Sequence, residues 1–300
     1  MLSSLAAKFP HRDCLFLLSV ILICLLFCTP LRGLLALSLQ DDRYAHILLI
    51  PVISVALYYF DNKRSPGNLS YSPVIGLPLM ALCLGALVVS RKWPSLSVSL
   101  NILIGALVLA IIGSYIWCYG IKSFNHAGFP LLLLLLMIPI PSAPLEKIVK
   151  VLQIGSAEVS YLLFQLVGVP VFRRGTVMSL PGLEIEVARQ CSGIRSTMAL
   201  LVATLVLSHV LLRSGWSRLL VILCVGPIGI LRNAVRIVMI SLLGVYVDRR
   251  FLVGDLHRRG GLLFSLIGFA VVIPIVCLLR CWERHARATE KHGISACSPG

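Results

Sequence analysis

The stretch RLLVILCVGPIGILRNAVRIVMISLLGVYV, residues 218–247, decides the fold of this chain. A helix needs about 20 apolar residues to cross a bilayer, and this stretch is longer. It therefore predicts a membrane span, which the GPIG sequence at 226–229 can kink or divide in two. Arg232 and Arg236 lie four positions apart on one helical face, with Asn233 beside them. Because ionisable groups are rare and costly within a membrane, these arginines indicate a functional site.

The composition of the whole chain is that of a membrane protein. Its 300 residues are 58% hydrophobic and 13% charged, with a mean hydropathy of +0.95, whereas a soluble domain is about a quarter charged. The net charge of +15 comes from basic residues scattered over loops and termini, without the basic, aromatic-rich stripe of a nucleic-acid-binding surface. We therefore expect the chain to contact the lipid bilayer and no nucleic acid.

The predicted fold class is an all-α polytopic membrane protein with about eight transmembrane helices. The predicted spans are 14–34, 44–60, 72–90, 97–119, 127–141, 196–212, 218–247 and 260–280. No clean cleavage site follows the first, which favours a retained span over a signal peptide. The fifth is short and ends in prolines, which predicts a tilted or broken helix. We expect a single transmembrane domain over 1–285 and a polar, disordered tail over 286–300.

Residues 142–195 form the long connection between the fifth and sixth spans. The first part mixes amphipathic and apolar character, so it can lie on the membrane interface or enter the bilayer. Further on, Leu183, Ile185 and Val187 alternate with two glutamates after a Pro-Gly dipeptide. This pattern is typical of a short β-hairpin. We expect the hairpin on the extracytoplasmic side, before the sixth span.

The orientation of the chain in the membrane depends on which basic residues are used in the positive-inside rule. With eight spans both termini share one side, and more of the basic residues fall on the other side. Most of those lie in 142–195, in the far half of the seventh span or in the loop after it. If they serve a site, they do not report topology, since the positive-inside rule weighs short loops and span ends. We therefore predict cytoplasmic termini in a multi-pass protein of the inner (cytoplasmic) membrane.

Three chemically different side chains are then predicted to meet at the outer membrane face. Cys191 precedes the sixth span, Arg232 and Arg236 offer a guanidinium in the far half of the seventh, and His257 precedes the eighth. Cationic neighbours and a helix N-terminus lower the pKa of a thiol below its free value of about 8.5, which favours the nucleophilic thiolate. A histidine can pass the proton to a leaving amine, and an arginine can stabilise an oxyanion. The set indicates acyl transfer.

Each of these residues also has a structural interpretation when it stands alone. A lone cysteine is usually packed as a small hydrophobe, an arginine at a span end can bind a lipid phosphate, and a loop histidine is ordinary. The ten cysteines form no zinc motif or disulfide framework, and no metal or organic cofactor is implied. The possible supporting members of the site are Tyr44, His46, Ser192, Arg195, Arg232 and Asn233.

The chain resembles the exosortase/archaeosortase family of membrane cysteine transpeptidases. CSGIRS at 191–196 is similar to the family's nucleophile motif, RNAVRI at 232–237 to its Asn-x-x-Arg-Ile motif, and GDLHRRGG at 254–261 to its histidine segment. Similarity in DDRYAHILLIPVISVAL, FPLLLLLLMIPIP and the approach to Cys191 extends the resemblance over most of 41–265. Any one motif is weak, but the ordered set is specific.

The resemblance implies Cys191 as nucleophile, Arg236 as the oxyanion or substrate stabiliser and His257 as general acid/base. Arg232 competes for the arginine role. It also implies that the substrates are secreted proteins ending in a short motif of the Pro-Glu-Pro kind, an apolar helix and a basic cluster. The enzyme would cut after the motif through a thioester and pass the acyl group to an acceptor, a lipid or polysaccharide, in a pathway linked to exopolysaccharide. Arg189 stands where relatives often have glutamate, which puts the exact signal in question.

Three other functions stay open from the sequence. The same residues suit an intramembrane protease that only hydrolyses the thioester. A transporter or permease could bind an anionic substrate with the arginines, although the repeats typical of transporters are not visible. An acyl- or glycosyltransferase of envelope assembly would need a carboxylate or a His–Asp pair, which Asp255 near His257 could supply.

Overall fold

The computed structural model describes residues 11–62, 71–92, 99–189, 192–248, 250 and 261–296. The α-helices within these ranges, numbered in chain order, are α1 His11–Leu26, α2 Cys28–Gln40, α3 Ile50–Asn62, α4 Pro73–Lys92, α5 Leu100–Tyr119, α6 Ile121–Leu133, α7 Ser142–Leu166, α8 Ile194–Leu211, α9 Gly215–Tyr246 and α10 Gly261–Ala296. Asp42–Leu48 and Leu134–Met137 are 3-10 helices, and the strands are β1 Phe172–Arg174, β2 Val177–Leu180 and β3 Leu183–Glu186.

The described helices confirm the predicted all-α polytopic membrane fold. Six of them are long and apolar enough to cross a membrane, and the number rises to eight if each of two bent helix pairs forms one span. The predicted number of eight equals this upper value. Large apolar side chains such as Leu82, Leu223 and Leu278 are exposed on these helices, as expected for surfaces that face lipid.

The first predicted span, 14–34, is not one straight helix. It is divided into α1 and α2, which meet at an angle of 73°. Pro30 has no N–H to donate to the carbonyl of Leu26, so the helical hydrogen-bond ladder of α1 cannot continue through it. The Leu26 oxygen instead accepts a hydrogen bond of 2.7 Å from Nη2 of Arg91. The bend therefore replaces one backbone hydrogen bond with one from a side chain.

The chain divides into two compact units, residues 1–141 and 142–300. In the first unit, α5 packs against α1, α2, α4 and α6. The backbones of α4 and α5 approach closely at Gly76, where an added Cβ would lie 2.6 Å from the carbonyl oxygen of Gly113. Small residues allow such close helix packing in membranes.

The division of the chain into a domain 1–285 and a tail 286–300 stays a prediction. The last described helix, α10, extends to Ala296.

In the second unit, α9 packs against α7, α8 and α10. It is a single helix of 32 residues that contains Pro227, so GPIG does not divide it. At 1.5 Å per residue it is about 48 Å long, which exceeds the thickness of the hydrocarbon core, about 30 Å.

The connection 142–195, which was predicted to lie on the interface or enter the bilayer, begins with α7, a helix of 25 residues.

The predicted hairpin is present as part of a three-stranded antiparallel sheet of order β1-β2-β3. Leu180 pairs with Leu183 across the Pro181–Gly182 turn, where Gly182 has a φ of +73°. The apolar side of the sheet, including Met178 and Val187, packs on Phe164 of α7 and Val238 of α9. The sheet is thereby fixed to the end of α9 that carries the arginines.

The contact between α8 and α9 predicts different outcomes for two glycines of α9. A Cβ at Gly229 would lie 2.6 Å from Oγ1 of Thr197, whereas a Cβ at Gly226 meets nothing within 4 Å. Gly229→Ala should therefore destabilise the protein by about 1–3 kcal/mol through overpacking. Gly226→Ala should be neutral or stabilising by up to about 1 kcal/mol, from helix propensity. Thermal unfolding of the two variants in one detergent measures the difference, and an equal midpoint would contradict the close packing.

Candidate active site

The structure describes part of the predicted catalytic set. Cys191 and His257 lie outside the described residues, as does Asp255. The described part consists of the turn after Cys191, the first turn of α8 and the facing side of α9. Ser192, directly after Cys191 in the chain, is 1% exposed, and its hydroxyl has no hydrogen-bond partner among the described residues.

Gly193 forms a left-handed turn at the start of α8. Its φ is +75° and it occupies the N-cap position of the helix, a conformation that costs residues other than glycine free energy. A Cβ at this position would also lie 2.9 Å from Cγ of Asn233. Glycine is therefore required twice here, by the backbone conformation and by the closeness of α9.

Asn233 connects the turn to α7. The side chain is buried, with 1% exposed, and its Nδ2 donates a hydrogen bond of 3.0 Å to Oγ of Ser156 on α7. α7 also holds the end of the hairpin, because Nε2 of Gln153 donates to the carbonyl oxygen of Val187 at 2.6 Å. The position of the turn before α8 is thus set by α7 and α9 together.

Arg232 is a buried cation directed at the same turn, with 3% of the residue exposed. Its Nη2 donates to the carbonyl oxygen of Gly193 at 3.4 Å and to Oγ of Ser196. Its Nη1 is buried without a partner among the described residues. A Cβ on Gly268 of α10 would lie 3.5 Å from Cδ of Arg232, so the side-chain stem lies against α10. A buried guanidinium needs acceptors, and here the turn supplies them.

Arg236 lies one helical turn further along α9 and contacts different surroundings. It is half-buried and lines a pocket of about 270 Å³ between β3 and α9. The residues that line the pocket are Leu183, Glu184, Ile185, Glu186, Val187, Asn233, Arg236, Ile237, Ile240 and Ser241. The two arginines share a helical face as predicted, yet one is directed at the turn before α8 and the other at an open pocket.

The site lies at one end of the α8–α9 pair. The connection 212–214 joins the two helices at the opposite end. Arg236 follows the first residue of α9 by 21 positions, which corresponds to about 32 Å of helix. This length is close to the hydrocarbon thickness of about 30 Å. If the connection lies at one membrane face, the arginines and the turn therefore lie near the other.

Two charged residues near Cys191 in the sequence, Arg189 and Arg195, are exposed. Arg195 is exposed on the first turn of α8. Arg189 is exposed as well, and its Nη1 lies 3.2 Å from Oε2 of Glu146. Exposed ion pairs contribute little to stability, so this one has little weight in the fold.

Tyr44 and His46 belong to the first unit and are described within it. The Tyr44 hydroxyl donates to the carbonyl oxygen of Ile140 at 3.0 Å. Nδ1 of His46 is buried without a partner among the described residues. Just before them, hydrogen bonds from Arg43 lower the pKa of the Asp41 carboxyl group. Their role as supporting site residues stays a prediction.

The comparison with known proteins gives one decisive match. The family model described as transmembrane exosortase (Exosortase_EpsH) matches residues 38–274. The chain belongs to the transmembrane exosortase family. No curated protein and no solved structure matches it significantly.

Membership confirms the resemblance seen in the motifs and supports a general role for this exosortase. The family consists of membrane cysteine-type transpeptidases that act on the C-terminal sorting signals of secreted proteins. The matched range includes the turn at Gly193 and the arginines of α9. Within the part of this exosortase that the structure describes, no group of three or more His, Cys, Asp and Glu could hold a metal ion.

Sequence analysis missed the residues that position the site. Gly193 could have been recognised, because a glycine directly before a predicted helix start is a common signal for a special backbone conformation. Ser156 and Gln153 could not, because they lie far from the site in the sequence and reach it only through the packing of α7 on α9.

The turn predicts a large difference between two glycines with similar backbone angles. Gly193 and Gly175 have φ values of +75° and +63°, but a Cβ at Gly175 meets nothing within 4 Å. Both alanine variants should lose about 1–2 kcal/mol from the left-handed conformation. Gly193→Ala should lose more, because it also displaces Asn233. Thermal unfolding in detergent compares the two, and equal midpoints would show that the contact with Asn233 is unimportant.

Proposed function

We propose that this exosortase cleaves the C-terminal sorting signals of secreted proteins through a thioester on Cys191 and transfers them to an acceptor. The observation that best supports this role is the geometry after Cys191. The turn at Gly193 is held by two motif residues, Arg232 and Asn233, and Asn233 also lines the pocket that contains Arg236. Described parts of two motifs that are separate in the sequence, CSGIRS and RNAVRI, thus meet at one turn and one pocket.

In the proposed reaction, the thiolate of Cys191 attacks the carbonyl carbon of the scissile peptide bond. A C–S bond forms and the C–N bond breaks, and His257 in its protonated form gives the proton to the leaving nitrogen. The acceptor then attacks the thioester, with His257 taking the acceptor's proton. The C–S bond breaks and the thiolate is regenerated.

The two arginines receive different roles in this proposal. Arg236 lines the open pocket, so we assign it to the oxyanion or to the substrate main chain. Arg232 is buried and donates to Gly193 and Ser196, so we assign it to positioning the turn that follows the nucleophile. Nη1 of Arg232 has no partner among the described residues, so it could also bind the substrate. Arg232 therefore needs a separate test.

We infer that the site faces the extracytoplasmic side of the inner membrane. The opposite end of the α8–α9 pair carries a concentration of basic residues, as the positive-inside rule expects for a cytoplasmic end. They are Arg213, Arg218, Arg280, Arg284 and Arg287. Glu283 is held in this region by the backbone N–H groups of Arg213 and Ser214. A substrate helix followed by basic residues would enter with the same orientation, so its preceding motif would reach the site.

The acceptor in this proposal is a lipid or polysaccharide nucleophile, and the pathway is linked to exopolysaccharide. Anchoring of the substrate in the same bilayer supplies much of the proximity that the first step needs. Water as the acceptor gives the hydrolytic alternative with the same residues. The mass of the released product distinguishes the two, since hydrolysis leaves a free carboxylate and transfer leaves an adduct.

The first test of the function is removal of the thiol. The substrates to follow are secreted proteins of the same organism that end in a short motif, an apolar helix and a basic cluster. Cys191→Ala, and Cys191→Ser as the isosteric control, should leave these proteins at precursor size because no thioester can form. Immunoblots at matched enzyme levels measure the processing. Normal processing by the alanine variant would remove Cys191 as the nucleophile.

The second test separates the arginines. Arg236→Lys should reduce processing by about 100-fold or more, because an ammonium does not reproduce the planar fork, while the thermal midpoint stays unchanged. Arg232→Lys should lower the thermal midpoint as well, because the bonds to the turn are lost. If Arg232→Lys abolished processing without any loss of stability, the catalytic role would belong to Arg232.

A further inference from the structure

The outer edge of β3 offers unpaired main-chain groups. The N–H of Val187 donates to the carbonyl of Thr176 on the β2 side. Since main-chain groups alternate along a strand, those of Leu183 and Ile185 point towards β2 as well, and those of Glu184 and Glu186 point away from it. The Glu186 carbonyl accepts from the N–H of Ala188. The N–H and C=O of Glu184 and the N–H of Glu186 have no partner among the described residues.

The pocket runs along this same edge. It is lined by five consecutive residues, 183–187, which belong to both faces of the strand because side chains alternate. Since the lining includes residues of both faces, we infer that the cavity runs beside the strand rather than above it. Its other wall is one face of α9, with Asn233, Arg236 and Ile237 among the lining residues. We call this cavity the β3–α9 groove.

We propose that the extended segment of the substrate that precedes its membrane helix binds in the β3–α9 groove as a fourth strand of the sheet. This inference rests on the proposed function and adds to it the mode of recognition. The main chain of the substrate would pair with Glu184 and with the N–H of Glu186. Strand addition of this kind takes its affinity from main-chain hydrogen bonds, with side-chain selectivity at alternate positions.

The groove leads directly to the turn after the nucleophile. Asn233 lines the groove and would be 2.9 Å from a Cβ on Gly193, two positions after Cys191 in the chain. Arg236 lies between this point and Ile240 along the same wall. A strand bound on β3 therefore passes Arg236 before it reaches the turn. The volume of about 270 Å³ is near the lower end for ligand pockets, about 300–1,000 Å³, and suits a short main-chain segment.

The enzyme provides a matched pair of proline variants. Glu184→Pro removes an N–H that points into the groove, while an edge strand tolerates proline at such a position. Arg173→Pro is the control, because Arg173 has the corresponding outward N–H on β1, the other edge of the same sheet. Arg173→Ala accompanies it, because the Arg173 guanidinium also bonds Glu158 of α7 and the carbonyl oxygen of Gly175. The substrate is a reporter in which a soluble secreted domain carries the last 40 or so residues of a processed protein.

We expect Glu184→Pro to slow processing of the reporter by about tenfold or more, with a thermal midpoint no lower than that of Arg173→Pro, which also loses the ion pair with Glu158. Arg173→Pro and Arg173→Ala should remain within about threefold of the wild type. Normal processing by Glu184→Pro, or an equal loss in Arg173→Pro, would overturn strand addition. If Cys191→Ala still abolished processing in that case, the proposed function would stand without this mode of binding. Processing by Cys191→Ala would overturn both.

A proline scan of the reporter gives an independent readout. Single prolines are placed at successive positions of the segment before the apolar helix. Processing should be lost at every second position, where the substrate N–H points at β3, and retained between them. A loss without this period of two would contradict pairing with an edge strand.

Discussion

The contact between Gly193 and Asn233 is the constraint on which the described site depends. The absence of a side chain at Gly193 lets α9 approach the turn before α8, and the left-handed φ of that residue directs the chain into the helix. Arg232 then reaches the carbonyl oxygen of the same residue. A larger residue at this turn would separate the start of α8 from α9, and so the CSGIRS motif from the RNAVRI motif.

α9 organises the second unit because each part of its surface contacts a different neighbour. Arg232 is directed at α8 and lies against α10, Asn233 bonds to α7, and Arg236 faces the sheet across the groove. A long continuous helix suits this task, since its side chains have fixed relative positions over several turns. The cost of a buried guanidinium is offset by acceptors in the turn, which links the position of the turn to that of the helix.

The sequence predicted the parts of the structure that follow from local patterns. Apolar length predicted the helices, alternation after Pro-Gly predicted β2 and β3, and charge within an apolar span singled out Arg232 and Arg236. The bend at Pro30 was missed, because a proline within an apolar run does not show whether the helix bends or ends. β1 was missed because three residues give no readable alternation. The hydrogen bond from Asn233 to Ser156 depends on helix packing between residues 77 positions apart, which no local pattern reveals. The roles of Cys191 and His257 stay predictions.

The two carboxylates beside the open strand edge have a consequence for how copies of this protein meet. Proteins held in a bilayer diffuse in two dimensions and collide often, and a bare strand edge invites pairing with an identical edge. If two β3 strands met, Glu184 and Glu186 of one molecule would stand against those of the other. Like charges opposite each other disfavour such pairing, so the two glutamates oppose self-association of the enzyme through this edge.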